Sequence, residues 1–129
     1  NIQVKWFTPR RMNNEGWIFT YAHLPRRSAT IYAQTFVYSP AAQTCLVNTG
    51  GNGALKVWVN DGLVFSEAKE RITELDYYSA PCKLAQGWNR VLLQLSYTDT
   101  ESPNFIVRLT NDQFDALPDL KLSNSVQPY

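Results

Sequence analysis

The sequence predicts an all-β domain, and more narrowly an antiparallel β-sandwich or jelly roll. Short stretches in which apolar and polar residues alternate recur along the 129 residues, and glycine, proline or asparagine bounds most of them. Alternation with a period of two is typical of strands that bury one face. No stretch carries the sustained apolar stripe of an amphipathic helix. Eight or nine short strands with turns at regular spacing favour two packed sheets.

The clearest strand and turn lie in the middle of the chain. Apolar and polar residues alternate over residues 55–60, and Asn60-Asp61-Gly62 follows, a sequence that suits the positive φ angles of a hairpin turn. The glycine-rich residues 49–53 before this strand are predicted to form a loop. Residues 63–65 are expected to pair back after the turn.

The other elements follow from the same reasoning. Residues 66–75 contain helix formers behind a capping serine but no apolar stripe, so they are predicted to form a loop with one helical turn. The polar tail from Asn111 is expected to wrap around the body or to continue into a further domain. Strands are predicted at residues 2–6, 17–22, 30–38, 43–48, 55–60, 63–65, 77–84, 91–97 and 105–110.

Charge and hydropathy exclude two classes of partner. The net charge is +1, so no strong field attracts nucleic acid or acidic lipid. The pairs Arg10-Arg11 and Arg26-Arg27 are interpreted as solvated loop residues. No apolar run approaches the ~20 residues of a membrane-spanning helix. Because the chain starts at Asn1 with neither an initiator Met nor a signal peptide, residues 1–129 are interpreted as one domain of a processed chain or, as the favoured alternative, one domain cut from a longer chain.

The two cysteines allow one bridge. Cys45 and Cys82 both lie in predicted strands. A disulfide across neighbouring strands would imply an oxidising compartment, and the alternative is two separate buried thiols. Together with the single His23 they do not make a structural zinc site, which needs four ligands at close spacings.

The sequence contains no recognisable catalytic constellation, so the chain is not expected to be an enzyme. His23 has no nucleophilic partner at a recognisable spacing. The pair Asp99 and Glu101 and the pair Asp112 and Asp115 are not fixed across a cleft, as a glycosidase requires. No cofactor is expected. A structural calcium ion among loop carboxylates and carbonyls, as in many β-sandwich modules, stays open, although no dense acidic loop specifies it.

Three motifs follow one another along the chain: YAQTFVYSP at residues 32–40, GALKVWVN at residues 53–60 and GWNRVLL at residues 87–93, with Arg71 and Asp76 between the last two. In this order they resemble the motifs of galactose-binding-like jelly rolls, the carbohydrate-binding-module-like accessory domains of large bacterial surface and secreted proteins. The resemblance covers roughly residues 30–110. It implies a jelly-roll fold, a multidomain parent protein and an extracytoplasmic location.

The chain departs from the family pattern at two places. The turn Asn60-Asp61-Gly62 is one residue longer than the usual Asn-Gly, and Gly50-Gly51-Asn52 stands where relatives often carry acidic residues. Two functions remain open. One is a non-catalytic accessory module that binds carbohydrate weakly. The other is a structural or protein-interaction sandwich that braces neighbouring domains without a ligand. The expected partners are therefore a glycan or neighbouring domains of the same chain.

Exposed aromatic side chains are the main candidates for glycan contact. Adjacent strand residues face opposite ways, so at least one of Tyr77 and Tyr78 is expected to be exposed. Trp17 lies in the irregular N-terminal part, where rim loops carry binding. Polar residues near such an aromatic side chain would bind the hydroxyl groups of the sugar. The predicted ligand contacts are therefore Tyr77, Tyr78, Trp17, Asn52, Asp61 and Arg71.

Other motif residues are predicted to be structural. Trp58 and Trp88 are expected to pack inside the fold. Asn89 is expected to hydrogen-bond the neighbouring backbone at its corner. A salt bridge between Arg71 and Asp76 is favoured over a role of that pair in framing a ligand.

Overall fold

The computed structural model describes residues 5–10, 13, 15–24, 28–98 and 100–129. In these ranges it contains a single turn of 3-10 helix, Thr20–Ala22, and eight strands, all in antiparallel pairs. The all-β prediction is confirmed. The strands are β1 (Ile18–Phe19), β2 (Ala29–Ser39), β3 (Gln43–Val59), β4 (Gly62–Ile72), β5 (Tyr78–Leu84), β6 (Gly87–Tyr97), β7 (Asn104–Thr110) and β8 (Lys121–Ser123).

Strand β3 organises the whole sheet. Its first half pairs with β5 on one edge and β7 on the other, and its second half pairs with β4 and β6. One layer therefore has the order β5–β3–β7–β1, and the other has the order β4–β3–β6–β2–β8. Because β3 belongs to both layers, all the strands form one continuous hydrogen-bonded sheet that curls over a shared core.

The core lies between the two halves of β3. Cys45 and Val47 from the first half belong to the same buried cluster as Leu55 and Val57 from the second half. Leu55 lies opposite Leu95 of β6, so apolar side chains meet across the strands. Full burial of one such side chain stabilises the fold by about 1.5–3 kcal/mol. Over residues 51–59 of β3 the period-two pattern of the sequence is thus the pattern of burial, whereas residues 47–51 are buried at every position.

The glycine-rich stretch is part of β3, and the predicted loop at residues 49–53 was wrong. A Cβ atom on Gly50 would lie 1.8 Å from the carbonyl oxygen of Glu74, and one on Gly51 would lie 2.2 Å from that of Asn104. These glycines are needed because neighbouring backbone packs directly against the strand. Close approach, and not a turn, explains the local composition.

Residues 66–75 also differ from the prediction of a loop with a helical turn. β4 runs through Gly62–Ile72 and pairs with β3 across two register shifts, so that Glu67 lies opposite Leu55. Pairing with an existing strand outweighs the weak helix propensity of a short segment. Near the N-terminus, the predicted strand at 17–22 is shortened to β1, and Thr20 begins the 3-10 turn.

The tail packs on the body, as one of the two expectations had it. β8 pairs with residues 36–38 of β2, and the ring of Tyr129 lies 6.1 Å from that of Phe36. The N-terminal strand prediction falls largely on residues 1–4, which lie outside the described residues, as do Arg11, Arg26, Arg27 and Asp99. Within the described ranges, no helix has the length and apolar character needed to cross a membrane.

Candidate functional site

The side chains that point away from the core on β2, β6 and the second half of β3 form a continuous surface, which we call the outer face. Its residues alternate with the buried ones along each strand. The strand register brings residues of three strands into rows across this surface. One row contains Trp58, Leu92 and Gln34, and the next contains Lys56, Gln94 and Tyr32.

A depression of about 240 Å³ lies at one end of the outer face. Trp58, Asp61, Arg90 and Leu92 line it. Trp58 and Leu92 are both partly exposed and provide apolar surface. Asp61 and Arg90 provide an acceptor and several donors of hydrogen bonds. The depression thus combines an indole with a charged pair that faces solvent.

Hydrogen bonds hold the charged pair in place. Arg90 Nη1 lies 3.6 Å from Asp61 Oδ1, and Arg90 Nε donates to Gln34 Oε1 at 3.0 Å. The hydroxyl of Tyr129 donates to Asp61 Oδ1 at 2.7 Å and accepts a bond from Arg90 Nη1 at 3.3 Å. An ion pair this exposed contributes only ~0–1 kcal/mol to stability. The network therefore matters mainly because it orients the donors and acceptors of the depression.

The position of Asp61 follows from its turn. Asn60 and Asp61 have φ angles of 48° and 67°, the left-handed conformation predicted for this hairpin. The side chain of Asn60 donates to Asn89 Oδ1 at 2.7 Å and accepts a bond from the backbone N–H of Arg90 at 2.9 Å. Asp61 is thus carried by a turn that is bonded to the strand of its partner Arg90.

Tyr32 lies in the second row of the outer face. Its side chain is 51% exposed, and its hydroxyl accepts a hydrogen bond of 2.7 Å from Gln94 Nε2. That bond fixes the ring of Tyr32 over the sheet. Each of these two rows of the outer face therefore presents an accessible aromatic side chain.

The structure does not bring the six predicted ligand contacts together. Asp61 lies at the depression on the outer face, but Tyr78 is the first residue of β5, in the other layer, and Tyr77 directly precedes it. Tyr77 is 61% exposed, whereas Tyr78 is half-buried and packs against Phe65 with ring centroids 4.7 Å apart. Of the two adjacent tyrosines, one is thus exposed, as alternation predicts.

The other predicted contacts have structural neighbours. Trp17 is half-buried, and its backbone N–H donates to the side chain of Asn13 at 3.2 Å. Asn52 Nδ2 donates to the carbonyl oxygen of Ser102 at 3.0 Å. Arg71 is exposed and lies opposite Gly53 in the register of β4. Their roles in ligand binding stay predictions.

The predicted salt bridge between Arg71 and Asp76 is wrong, because Asp76 pairs with Arg108. Arg108 Nε donates to Asp76 Oδ1 at 2.8 Å, and its Nη2 contacts Oδ2 as well, so the pair is bidentate. The same Nη2 donates to the carbonyl oxygen of Phe114 at 3.1 Å. The bond to Asp76 raises the pKa of Arg108. The loop before β5 is pinned as expected, but by a residue of β7.

The two tryptophans predicted to lie in the core are partly exposed. Trp58 lines the depression on the outer face, and Trp88 packs edge-on against Tyr38, with ring centroids 5.4 Å apart. The position of Trp58 in the alternation could have predicted its exposure. Trp58 is two residues from Lys56 and so lies on the same face of β3, opposite to the face of the buried residues. Arg90 and Tyr32 were missed because both lie in motifs that were interpreted as fold-defining.

Cys45 and Cys82 lie directly opposite each other on β3 and β5, with their Sγ atoms 2.9 Å apart. Both are buried and are free thiols here. Contact with Cys45 and burial raise the pKa of the Cys82 thiol. The disulfide stays a prediction, now with a geometry that brings the two sulfur atoms into contact.

Metal ligands are a separate question. Among residues 5–10, 13, 15–24, 28–98 and 100–129, no three His, Cys, Asp or Glu side chains cluster as a metal site would require. The expectation that the chain has no cofactor stays a prediction.

Comparison with known proteins supports the fold. No family model and no curated protein matches the chain. Among solved structures, the chain is similar to a family 35 carbohydrate-binding module from an environmental isolate. The match has a TM-score of 0.50 and 16% identity, and it covers 94% of this chain and 87% of the other. This chain therefore has the fold of a carbohydrate-binding module, which confirms the jelly-roll sandwich that the sequence motifs implied.

Proposed function

We propose that the chain is a non-catalytic module that binds carbohydrate through its outer face. The observation that carries this proposal is the indole of Trp58 beside the Asp61–Arg90 pair in an open depression. Sugars have apolar ring faces that stack on aromatic rings, and hydroxyl groups that both donate and accept hydrogen bonds. A carboxylate beside a guanidinium serves both roles of a hydroxyl group. The fold likeness adds support at the level of architecture.

The absence of catalysis is proposed from the composition of the depression. Asp61 is the one carboxylate among the described residues that line it. Glycosidases that follow the usual mechanisms need two carboxyl groups placed on either side of the bond to be cleaved. A surface with one carboxylate, already bonded to Tyr129 and close to Arg90, is suited to holding a sugar and not to cleaving its linkage.

We further propose that the module belongs to a larger extracytoplasmic protein and keeps that protein near a polysaccharide.

A second function, the bracing of neighbouring domains, is favoured by a different observation. Ile72, at the end of β4, and Leu75 and Tyr77, in the loop before β5, expose 85%, 40% and 61% of their surface. Exposed apolar side chains close together are typical of contact surfaces between proteins or domains.

Affinity electrophoresis through gels that contain soluble plant, bacterial and host polysaccharides tests carbohydrate binding. The unmodified chain is expected to be retarded by at least one polysaccharide, and Trp58→Ala is expected to lose at least tenfold in affinity. Loss of retardation in Tyr77→Ala but not in Trp58→Ala would place the site at β5 instead. No retardation by any polysaccharide would remove the proposal and leave domain bracing as the function.

A further inference from the structure

We propose that the outer face binds an extended polysaccharide along its length, with sugar rings on both Trp58 and Tyr32, and does not bind a single terminal sugar. This inference rests on the proposed carbohydrate binding and adds to it the form in which the ligand is recognised. It follows from the spacing of the two aromatic residues and from the groups that lie between them.

The two aromatic residues are too far apart for one sugar ring. Trp58 on β3 lies opposite Leu92 on β6, which lies opposite Gln34 on β2. Tyr32 lies two residues before Gln34 on β2. Two strand spacings and two residue steps place the Cα atoms of Trp58 and Tyr32 roughly 12 Å apart on a flat sheet. A ligand that contacts both rings must therefore contain more than one sugar.

The surface between the two aromatic residues suits a chain of sugars. Leu92 offers a small apolar patch in the middle, and Gln34 and Gln94 place amide groups beside it. The side-chain oxygen of Gln34 accepts a bond from Arg90, and the side-chain NH2 group of Gln94 donates one to Tyr32. The NH2 group of Gln34 and the side-chain oxygen of Gln94 are therefore available for sugar hydroxyl groups. Apolar and polar groups thus alternate across the face, as ring faces and hydroxyl groups alternate along a polysaccharide.

The shape of the depression also argues against recognition of a chain end. Recognition of a terminal sugar needs a pocket that closes around the last ring. Here the depression is lined by Trp58, Asp61, Arg90 and Leu92. Leu92 of β6 also lies in the middle of the outer face, opposite Trp58. The surface of the depression therefore continues from Trp58 towards Tyr32, and a chain can run on in that direction.

Calorimetric titration with sugars of two lengths tests the inference. The probes are the disaccharides and hexasaccharides of β-1,4-linked glucose, xylose and mannose. For at least one of these series, the unmodified chain is expected to bind the hexasaccharide about tenfold more tightly than the disaccharide, since the longer ligand adds one aromatic contact. Tyr32→Ala is expected to remove that difference while leaving the disaccharide affinity within twofold.

Two further variants separate stacking from structural effects. Trp58→Ala is expected to weaken both ligands. Tyr32→Phe keeps the ring but loses the bond to Gln94, and is expected to retain most of the hexasaccharide affinity. Equal affinity of the unmodified chain for both lengths, or equal weakening of both by Tyr32→Ala, would overturn the extended site while carbohydrate binding stands. Absence of binding to any polysaccharide in the gels would overturn both.

Discussion

The side-chain amide of Asn60 donates a hydrogen bond of 2.7 Å to the side-chain oxygen of Asn89. Asn89 is fully buried, and its own amide donates to the carbonyl oxygens of Ala85 and Gly87 at 3.0 and 3.1 Å. Its oxygen also accepts the backbone N–H of Ala85 at 2.8 Å. Asn89 therefore ties the corner before β6 to the turn that carries Asp61, as its predicted backbone role implied.

Replacing Asn89 by alanine is expected to lower the free energy of unfolding by about 3 kcal/mol. The substitution leaves several buried donors and acceptors without partners, and each such loss costs more than a single hydrogen bond contributes. Urea denaturation measures the change. Asn60→Gly, which removes a partly exposed member of the same network and keeps the left-handed backbone of the turn, is expected to cost about 1 kcal/mol. Equal costs for the two variants would contradict the central position given to Asn89.

Local patterns predicted those strands whose alternation is strong. β2, β5 and β7 lie within one residue of their predicted bounds, whereas β6 begins four residues earlier than predicted, at Gly87. In β5 and β6 the buried side chains alternate with the others, so parity alone identifies them. The turn at Asn60 and Asp61 was predictable for a similar reason, since few other sequences accept two successive positive φ angles.

The remaining features depend on contacts that are distant in sequence. The glycines of β3 are explained by Glu74 and Asn104, which approach the strand from other parts of the chain. The predicted strand at residues 63–65 is the start of β4, and β4 extends to Ile72 because β3 offers it an edge, although the composition of residues 66–72 does not specify a strand. Such features need the topology, which composition and periodicity do not provide.

The candidate site was predicted in one residue only. Asp61 follows from its turn, but the others come from separate strands, Tyr32 from β2, Trp58 from β3 and Arg90 from β6. Their proximity is a consequence of strand order. The sequence-based prediction placed the aromatic site at Tyr77 and Tyr78 because adjacent strand residues face opposite ways, so one of the two had to be exposed. That argument does not require knowledge of which strands are neighbours.

We predict that Cys45 and Cys82 form a disulfide when the protein is kept in an oxidising glutathione buffer. The thiols are directly opposed across β3 and β5, with the sulfur atoms 2.9 Å apart. The bridge would close a loop between residues 37 positions apart, which stabilises the fold by about 4 kcal/mol in the chain-entropy account. Intact mass after alkylation of the denatured protein counts the thiols, and thermal unfolding measures the stabilisation.

The double variant Cys45→Ala with Cys82→Ala is the control for that experiment. Its unfolding temperature is expected to be independent of the glutathione buffer, whereas that of the unmodified chain is expected to rise on oxidation. Two alkylated cysteines after prolonged oxidation would show that the pair remains as buried thiols, the alternative left open by the sequence.

Tyr78→Phe is expected to stabilise the protein by up to about 1 kcal/mol. The hydroxyl of Tyr78 is buried and has no hydrogen-bond partner among the described residues, so its removal abolishes a desolvation cost without breaking a bond. The ring contacts with Phe65 and Tyr77 are retained. Urea denaturation at pH 7 measures the effect, and Tyr77→Phe on the exposed neighbour is the control.

Tyr78→Phe is also expected to make the stability of the protein less sensitive to alkaline pH. Burial, and next the charge of Glu67, raise the pKa of Tyr78 above its ordinary value of 10.0. A raised pKa means that the folded state holds the proton more tightly than the unfolded state. The stability that the folded state gains by holding this proton is therefore fully present below pH 10 and is lost as the pH rises through the pKa of Tyr78 in the folded state. Tyr78→Phe should lose less stability above pH 10 than the unmodified chain, and parallel profiles would contradict the assignment.

Tyr129→Phe is expected to strengthen carbohydrate binding about threefold. The hydroxyl of Tyr129 donates to Asp61 and accepts from Arg90, so it occupies the donor and acceptor positions that we assign to a sugar hydroxyl. The variant frees both groups and keeps the ring beside Phe36, so little stability should be lost. Titration with the hexasaccharide measures the affinity, and Tyr38→Phe is a control on the same strand as Phe36. Weaker binding by Tyr129→Phe would mean that the tyrosine hydroxyl itself contacts the ligand and that the tail is a wall of the site, not a competitor for it.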